Sequence, residues 1–267
     1  VAEGVARRPL PHAPHWLLVS IPKLVVELLS IRRTQDRISM MALELGIVCL
    51  QVSPPAPMQE SFYQVLVSAD ATSSDCLGEL LVRMRRGEDE ALSAGGFWDL
   101  IQRSTTSLAS GVSEQTLESV QEYEAHLRGR ARCLHLQMVQ ARRGELRPCS
   151  HVESIFRFLQ LLCEGHNLRL QTYLRVQKNS VRSVDLVSAT ASYVIAAAPH
   201  LCPLIMSEPL RAMQALAEYV QNPCRGNQRV LVDTALVATS NTLLNLRSGD
   251  KATAVSPELS KAPVLRR

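Results

Sequence analysis

From Val152 the apolar residues fall into helical register, then stop at a glycine. Val152, Ile155, Phe156, Leu159, Leu162 and Cys163 recur at i, i+3, i+4, i+7, i+10 and i+11, the period of one helix face. Gly165 follows where a left-handed C-cap wants a residue without a Cβ. Asn167 then suits the N-cap of a second helix that carries Leu170, Tyr173 and Leu174 inward. A stripe, a tight stop and a second stripe demand helices packed on helices. The corner, Glu164-Gly165-His166-Asn167, crowds an acid, an imidazole and an amide into one turn.

Composition agrees with that demand. Apolar residues make up 46% of the 267, yet aromatics only 4%, and Leu, Val and Ala suit helices better than aromatic-rich strands do. Only 12 glycines are present, so no glycine-rich phosphate cradle is available. The net charge of +4 is spread along the chain apart from one arginine cluster, which gives no footprint for nucleic acid. The seven cysteines (Cys49, Cys76, Cys133, Cys149, Cys163, Cys202 and Cys224) are odd in number and never form C-x-x-C. They lie mostly in apolar stripes, as free thiols of a reducing compartment do. No apolar run reaches the ~18–20 residues of a membrane span, and no signal-peptide pattern is present. Beginning with Val rather than Met, the sequence reads as a soluble piece of something longer.

In chain order, residues 1–15 are expected to be loose. Ser20 reads as the cap of a helix with Pro22 in its first turn and Leu24, Val25, Leu28 and Leu29 buried. Thr34 opens a second, with Ile38, Met41, Leu45, Val48, Cys49 and Val52 on one side, ended by the prolines of 53–57. Met58, Phe62, Val65, Leu66 and Ala69 mark a third, and Leu77, Leu80, Leu81 and Met84 a fourth. Residues 87–112 read as loop around one short helix from Phe97 to Arg103, and Ser113 to Arg143 as one long charged helix, solvated and packed on its neighbours.

Beyond the corner, Ser183 reads as the cap of a helix buried through Leu186, Val187, Ala191, Val194 and Ile195 and stopped at Pro199. Ser207 opens one carrying Leu210, Met213, Ala217 and Val220. Val230, Thr234, Val237, Asn241 and Leu244 line the last, with Gly249 as its stop. The expected fold is all-α, an armadillo-like helical solenoid. The chain divides into a loose segment over 1–15, armadillo-like helices over 16–147, a second helical domain over 148–249 and a disordered tail over 250–267.

Little here suggests catalysis. His12 and His15 lie in the loose start, and Cys163 with His166 is a single pair with no second pair to close a zinc site. Cys163 sits on an apolar stripe, so the chain reads as no enzyme. Glu164 and Glu218 stand out differently. Each falls near the C-terminal end of a helix, where the helix dipole and unpaired carbonyls are already negative. A carboxylate so placed is either solvent-exposed or compensated by a cation, and an all-oxygen set would suit Ca²⁺. On physical grounds alone two surface glutamates remain the plainer reading.

Two long motifs carry a resemblance. Phe156-Arg-Phe-Leu-Gln-Leu-Leu-Cys-Glu-Gly-His-Asn167, followed by Gln171-Thr-Tyr-Leu-Arg175 and Gln177, resembles a signature of the intracellular calcium-release channels. Leu216-Ala-Glu-Tyr-Val-Gln-Asn-Pro-Cys-Arg-Gly-Asn-Gln228 resembles a second signature of the same helical domain. These channels are the ryanodine and inositol trisphosphate receptors, and the domain is their RIH-associated domain, here 148–249. Asn222 stands where that motif usually has glycine, and the link from Gln177 to Ser207 is short and alanine-rich.

The resemblance implies a regulatory, coupling part of a homotetrameric channel on the cytosolic face of the endoplasmic reticulum or another calcium store. It implies that Glu164 and Glu218 hold activating Ca²⁺, with His166 and Gln221 supporting them and a backbone oxygen of the channel's C-terminal domain completing the site. The alternative is a non-enzymatic α-solenoid scaffold that binds partner helices and no ion.

Overall fold

The computed structural model describes residues 15–31, 36–52, 55–68, 71–109, 151–178, 183–202 and 205–245. Residues 1–14 of the expected loose start, Thr34, Ala69, the helix over 113–143, Cys133, Cys149, Gly249 and the tail lie outside them. Among the described residues every regular element is helical. They are α1 (His15–Ser30), α2 (Asp36–Val52), α3 (Pro55–Val67), α4 (Ala71–Ala109) and α5 (His151–Cys163). Then come α6 (Leu168–Arg175), α7 (Leu186–Ala197) with a 3-10 turn Ala198–His200, α8 (Ser207–Val220), α9 (Arg225–Val232) and α10 (Leu236–Asn245).

The all-α expectation holds among the described residues. α1 packs on α2, α3 and α4, while α2 crosses the molecule to α5 and α4 to α7. α5 and α7 both pack on α8. One apolar core therefore runs from Val25 and Leu43 through Phe62 and Met84 to Phe156, Tyr193 and Tyr219.

α5 buries its whole predicted stripe, and Phe158 and Leu161 besides, so it is the central helix of the core. α3 buries Met58, Phe62 and Leu66, and α4 buries Leu77, Leu80 and Met84, as their spacing predicts. Elsewhere the buried side is rotated. α2 turns Ile38, Met41 and Val48 outward, keeps Cys49 buried as expected, and buries Ser39, Ala42, Leu43, Gly46 and Leu50 in place of the others. The reason is proximity: a Cβ on Gly46 would lie 2.7 Å from Phe158 Cε2, so α2 presents its small residues to α5. α8 likewise buries Ala212, Ala215, Leu216 and Tyr219, leaving Leu210 and Ala217 exposed and Met213 and Val220 half-buried.

Several boundaries also move. α1 begins at His15, so Ser20 is not its cap, and Pro22 lies inside the helix. Its buried side is Val25, Val26 and Leu29, with Leu24 exposed and Leu28 half-buried. Residues 87–109 continue α4 without a break. Gly87 and Gly95 do not interrupt it but admit neighbours: a Cβ on Gly87 would lie 2.1 Å from Val152 Cγ2, and one on Gly95 2.5 Å from His200 Cβ. Asp185, not Ser183, caps α7, its Oδ1 accepting from Ser188 N at 2.9 Å. Ser207 is the first residue of α8, which has no side-chain cap bond.

The single last helix is two. Thr234 Oγ1 donates to Leu231 O at 2.7 Å and accepts from Leu236 N at 3.2 Å, so one side chain ends α9 and starts α10. This pair buries Asn227, Leu231, Leu236 and Thr239, while Val237 and Leu244 are exposed.

Candidate functional site

The site is built where α5 and α8, packed against each other in the core, reach their C-terminal ends. Glu164 is the first residue beyond α5, and Glu218 lies in the last turn of α8. Gly165 takes φ +74 and His166 φ +66, so the chain reverses through two left-handed residues. Only the first is a glycine. Asn167 caps α6 as its position predicts, its Oδ1 accepting from Leu170 N at 3.2 Å. Asn222, just past α8, adopts φ +52. That explains an asparagine in a glycine position, since both tolerate the left-handed region.

The turn brings the four expected residues to one corner. Burial pushes the Glu218 carboxyl above the ordinary range, and the negative charge of Glu164 pushes it further. His166, the Gln221 side-chain amide and Arg157 oppose that rise. Gln221 Nε2 stands 3.4 Å from Glu218 Oε1, a long hydrogen bond. Arg157, two turns back on α5, feels both carboxylates. Its own pKa is lowered chiefly by burial and then by Arg211.

The carboxylates rest on a carboxamide frame that the sequence reading missed. Gln59 of α3 donates through Nε2 to Leu161 O at 2.8 Å and Glu164 O at 2.7 Å. Gln171 of α6 does the same for α8, donating to Glu218 O at 2.7 Å and Gln221 O at 3.2 Å. Asn227 ties the two together, donating to Gln171 O and Tyr219 O at 2.9 Å each. Arg175 Nε in turn donates to Asn227 Oδ1 at 2.9 Å. Gln59, Gln171 and Asn227 are all buried, so these bonds satisfy helix-end carbonyls from the protein side. A signal was available: Gln59 falls in line with Phe62 and Leu66 on the apolar side of α3.

Chemically the corner can offer two carboxylates to a cation. The backbone oxygens of Glu164, Glu218 and Gln221 each already accept a hydrogen bond. Among the described residues no three His, Cys, Asp or Glu side chains converge on one point. Two carboxylates fit part of a Ca²⁺ shell of ~6–8 oxygens, and the rest must come from water or a partner. Cys163 offers no chemistry. It is fully buried, and burial first, then Glu218 and Cys224, push its thiol well above its ordinary pKa.

Residues 148–244 match a family model described as RyR and IP3R Homology associated. Both motifs that carry the resemblance lie inside the match. Among the described residues no helix is long and apolar enough to cross a membrane.

Proposed function

We propose that this chain, whose residues 148–244 belong to the RyR and IP3R homology associated family, is a cytosolic coupling piece of a tetrameric calcium-release channel. In this reading Glu164 and Glu218 form its half of an activating Ca²⁺ site, with His166 and Gln221 supporting them and the channel's C-terminal domain supplying a further oxygen. The parent channel sits in the membrane of the endoplasmic reticulum or another calcium store. The supporting observation is that two carboxylates 54 residues apart in sequence (218 − 164) lie at two helix C-termini near enough for Glu164, after burial, to raise the Glu218 pKa. A divalent cation relieves that repulsion, and so favours whichever channel state brings the partner's oxygen to the pair.

The test is Glu164→Gln and Glu218→Gln in the parent channel. Each keeps the shape and removes one charge, so each should move Ca²⁺ activation to higher concentration by about tenfold or more. The isolated chain should bind Ca²⁺ only weakly by calorimetry. Activation of the double variant at wild-type Ca²⁺ would refute the reading. The scaffold alternative draws on the outward apolar side of α2, where Met41 is 60% and Val48 49% exposed. It requires both glutamine variants to be silent toward Ca²⁺, and a charge placed at Met41 to abolish partner binding.

A further inference from the structure

The two helix ends that carry Glu164 and Glu218 are each held by a glutamine, but the two glutamines differ in origin. Gln171 lies within the family match, whereas Gln59 comes from α3, more than a hundred residues upstream. Gln59 is 3% exposed, and its side chain makes three hydrogen bonds at the corner. Its Nε2 donates to Leu161 O and Glu164 O, and its Oε1 accepts from Asn167 Nδ2 at 3.1 Å. By contrast Gln171 Oε1 is buried with no partner. A carboxamide has two N–H donors and an acceptor oxygen, so Gln59 directs both donors and its oxygen to the end of α5, the residue after it and the cap of α6.

We propose that Gln59 is the positioning residue of this corner: it fixes the backbone over 161–167, and with it the stance of the Glu164 carboxylate toward Glu218. The proposal deepens the cation-site reading and rests on it for its consequence, not for its geometry. The rest of α3 is arranged to carry such a contact. Arg169 of α6 makes a two-oxygen ion pair with Glu60 at 2.8 and 3.0 Å, and its guanidinium lies 4.0 Å above the Tyr63 ring. Tyr173 donates its hydroxyl to Leu66 O, and Phe62 meets Phe158 edge-on at 5.4 Å. α3 thus grips both helices of the corner, and Gln59 is the one residue of that grip that reaches the backbone of Glu164. A displacement of α3 is passed to the carboxylate through Gln59, which makes the upstream helices a control on the site.

The experiment compares three variants of the full 267-residue chain by residual dipolar couplings of the amides of 164–167. Gln59→Met keeps the length and removes both donors and the acceptor. Asn167→Asp keeps an oxygen to cap α6, replaces the donor to Gln59 with a second acceptor and adds a negative charge at the corner. Phe62→Leu truncates the core beside Phe158 without touching the corner.

Gln59→Met and Asn167→Asp should reorient the corner amides while those of α5 and α8 keep their wild-type values. Phe62→Leu should leave the corner unmoved although it destabilises the chain. Corner couplings in Gln59→Met that coincide with wild type overturn the proposal. If Gln59→Met does not fold, Asn167→Asp decides on the same criterion.

In the parent channel Gln59→Met should raise the activating Ca²⁺ concentration by about tenfold, as loss of a ligand-orienting partner does. A corner that moves while Glu164→Gln leaves activation unchanged supports the positioning role and removes the cation reading. A shift in Glu164→Gln with an unmoved corner in Gln59→Met does the reverse.

Discussion

At Gly165 a Cβ would meet nothing within 4 Å, yet φ is +74, so the residue is glycine for backbone reasons alone. Gly165→Ala should therefore cost about 1 kcal/mol of stability, read as a lower urea midpoint at unchanged slope. The left-handed turn at Gly165 was legible because the apolar stripe ends just before it. The positive φ of His166 was not, since nothing in a histidine's chemistry announces it. Glu218 gives a second test at this scale. Its carboxyl should titrate above the ordinary glutamate range by carbon NMR, and Glu164→Gln should bring it part of the way back. The sign for stability follows: a raised acid pKa means the folded chain holds that proton more tightly than the unfolded one. The group's unfavourable contribution is thus present above its folded pKa and disappears as pH falls through that value toward the unfolded one.

At the scale of single helices, periodicity located most helices, and named the buried side only where one side was apolar. α5 has one apolar side and buries it whole, and α3 buries Met58, Phe62 and Leu66 of its expected side, with Val65 half-buried. α2 and α8 have two apolar sides, and the choice fell to the side whose small residues, Gly46 in α2 and Ala212 and Ala215 in α8, admit close neighbours. In α4, where 87–112 reads in sequence as mostly loop, Gly87 and Gly95 sit within the helix as seats for Val152 and His200. The same helix supplies the control. Gly78 has nothing within 4 Å of a built Cβ, so Gly78→Ala should stabilise the chain by up to ~1 kcal/mol through helix propensity. Gly87→Ala would drive a methyl into Val152 and should destabilise by about 1–3 kcal/mol, as overpacking does. Thermal or urea unfolding of the two variants should move in opposite directions.

Across the whole molecule, the helical class and the corner were legible, but the partnerships between helices were not. Which helix meets which depends on contacts such as α2 with α5 and α4 with α7, between residues about a hundred positions apart. No local pattern encodes them. The expectation of unpaired thiols extends to this scale. Cys49, Cys76, Cys163, Cys202 and Cys224 are free and buried, and burial pushes Cys76 up to about 12. Peptide-level mass spectrometry should find these five slow to alkylate in the native chain at pH 8 and fully alkylated after denaturation without reductant. A disulfide between any two of them would overturn it.

The reach of α4 has a consequence for modularity. Its 39 residues span about 58 Å at 1.5 Å per residue, and they lie against α1 as well as against α5 and α7. Val152, near the start of the matched segment, sits against Gly87, and His200 against Gly95, both on α4 and outside the match. The matched stretch therefore packs directly against a helix that lies outside it. Cut out alone, 148–244 would present the surfaces of α5 and α7 that α2 and α4 now cover, and would bind an apolar dye that the full chain excludes. The edge of the match runs through one continuous apolar core, so the surface uncovered by that cut is apolar.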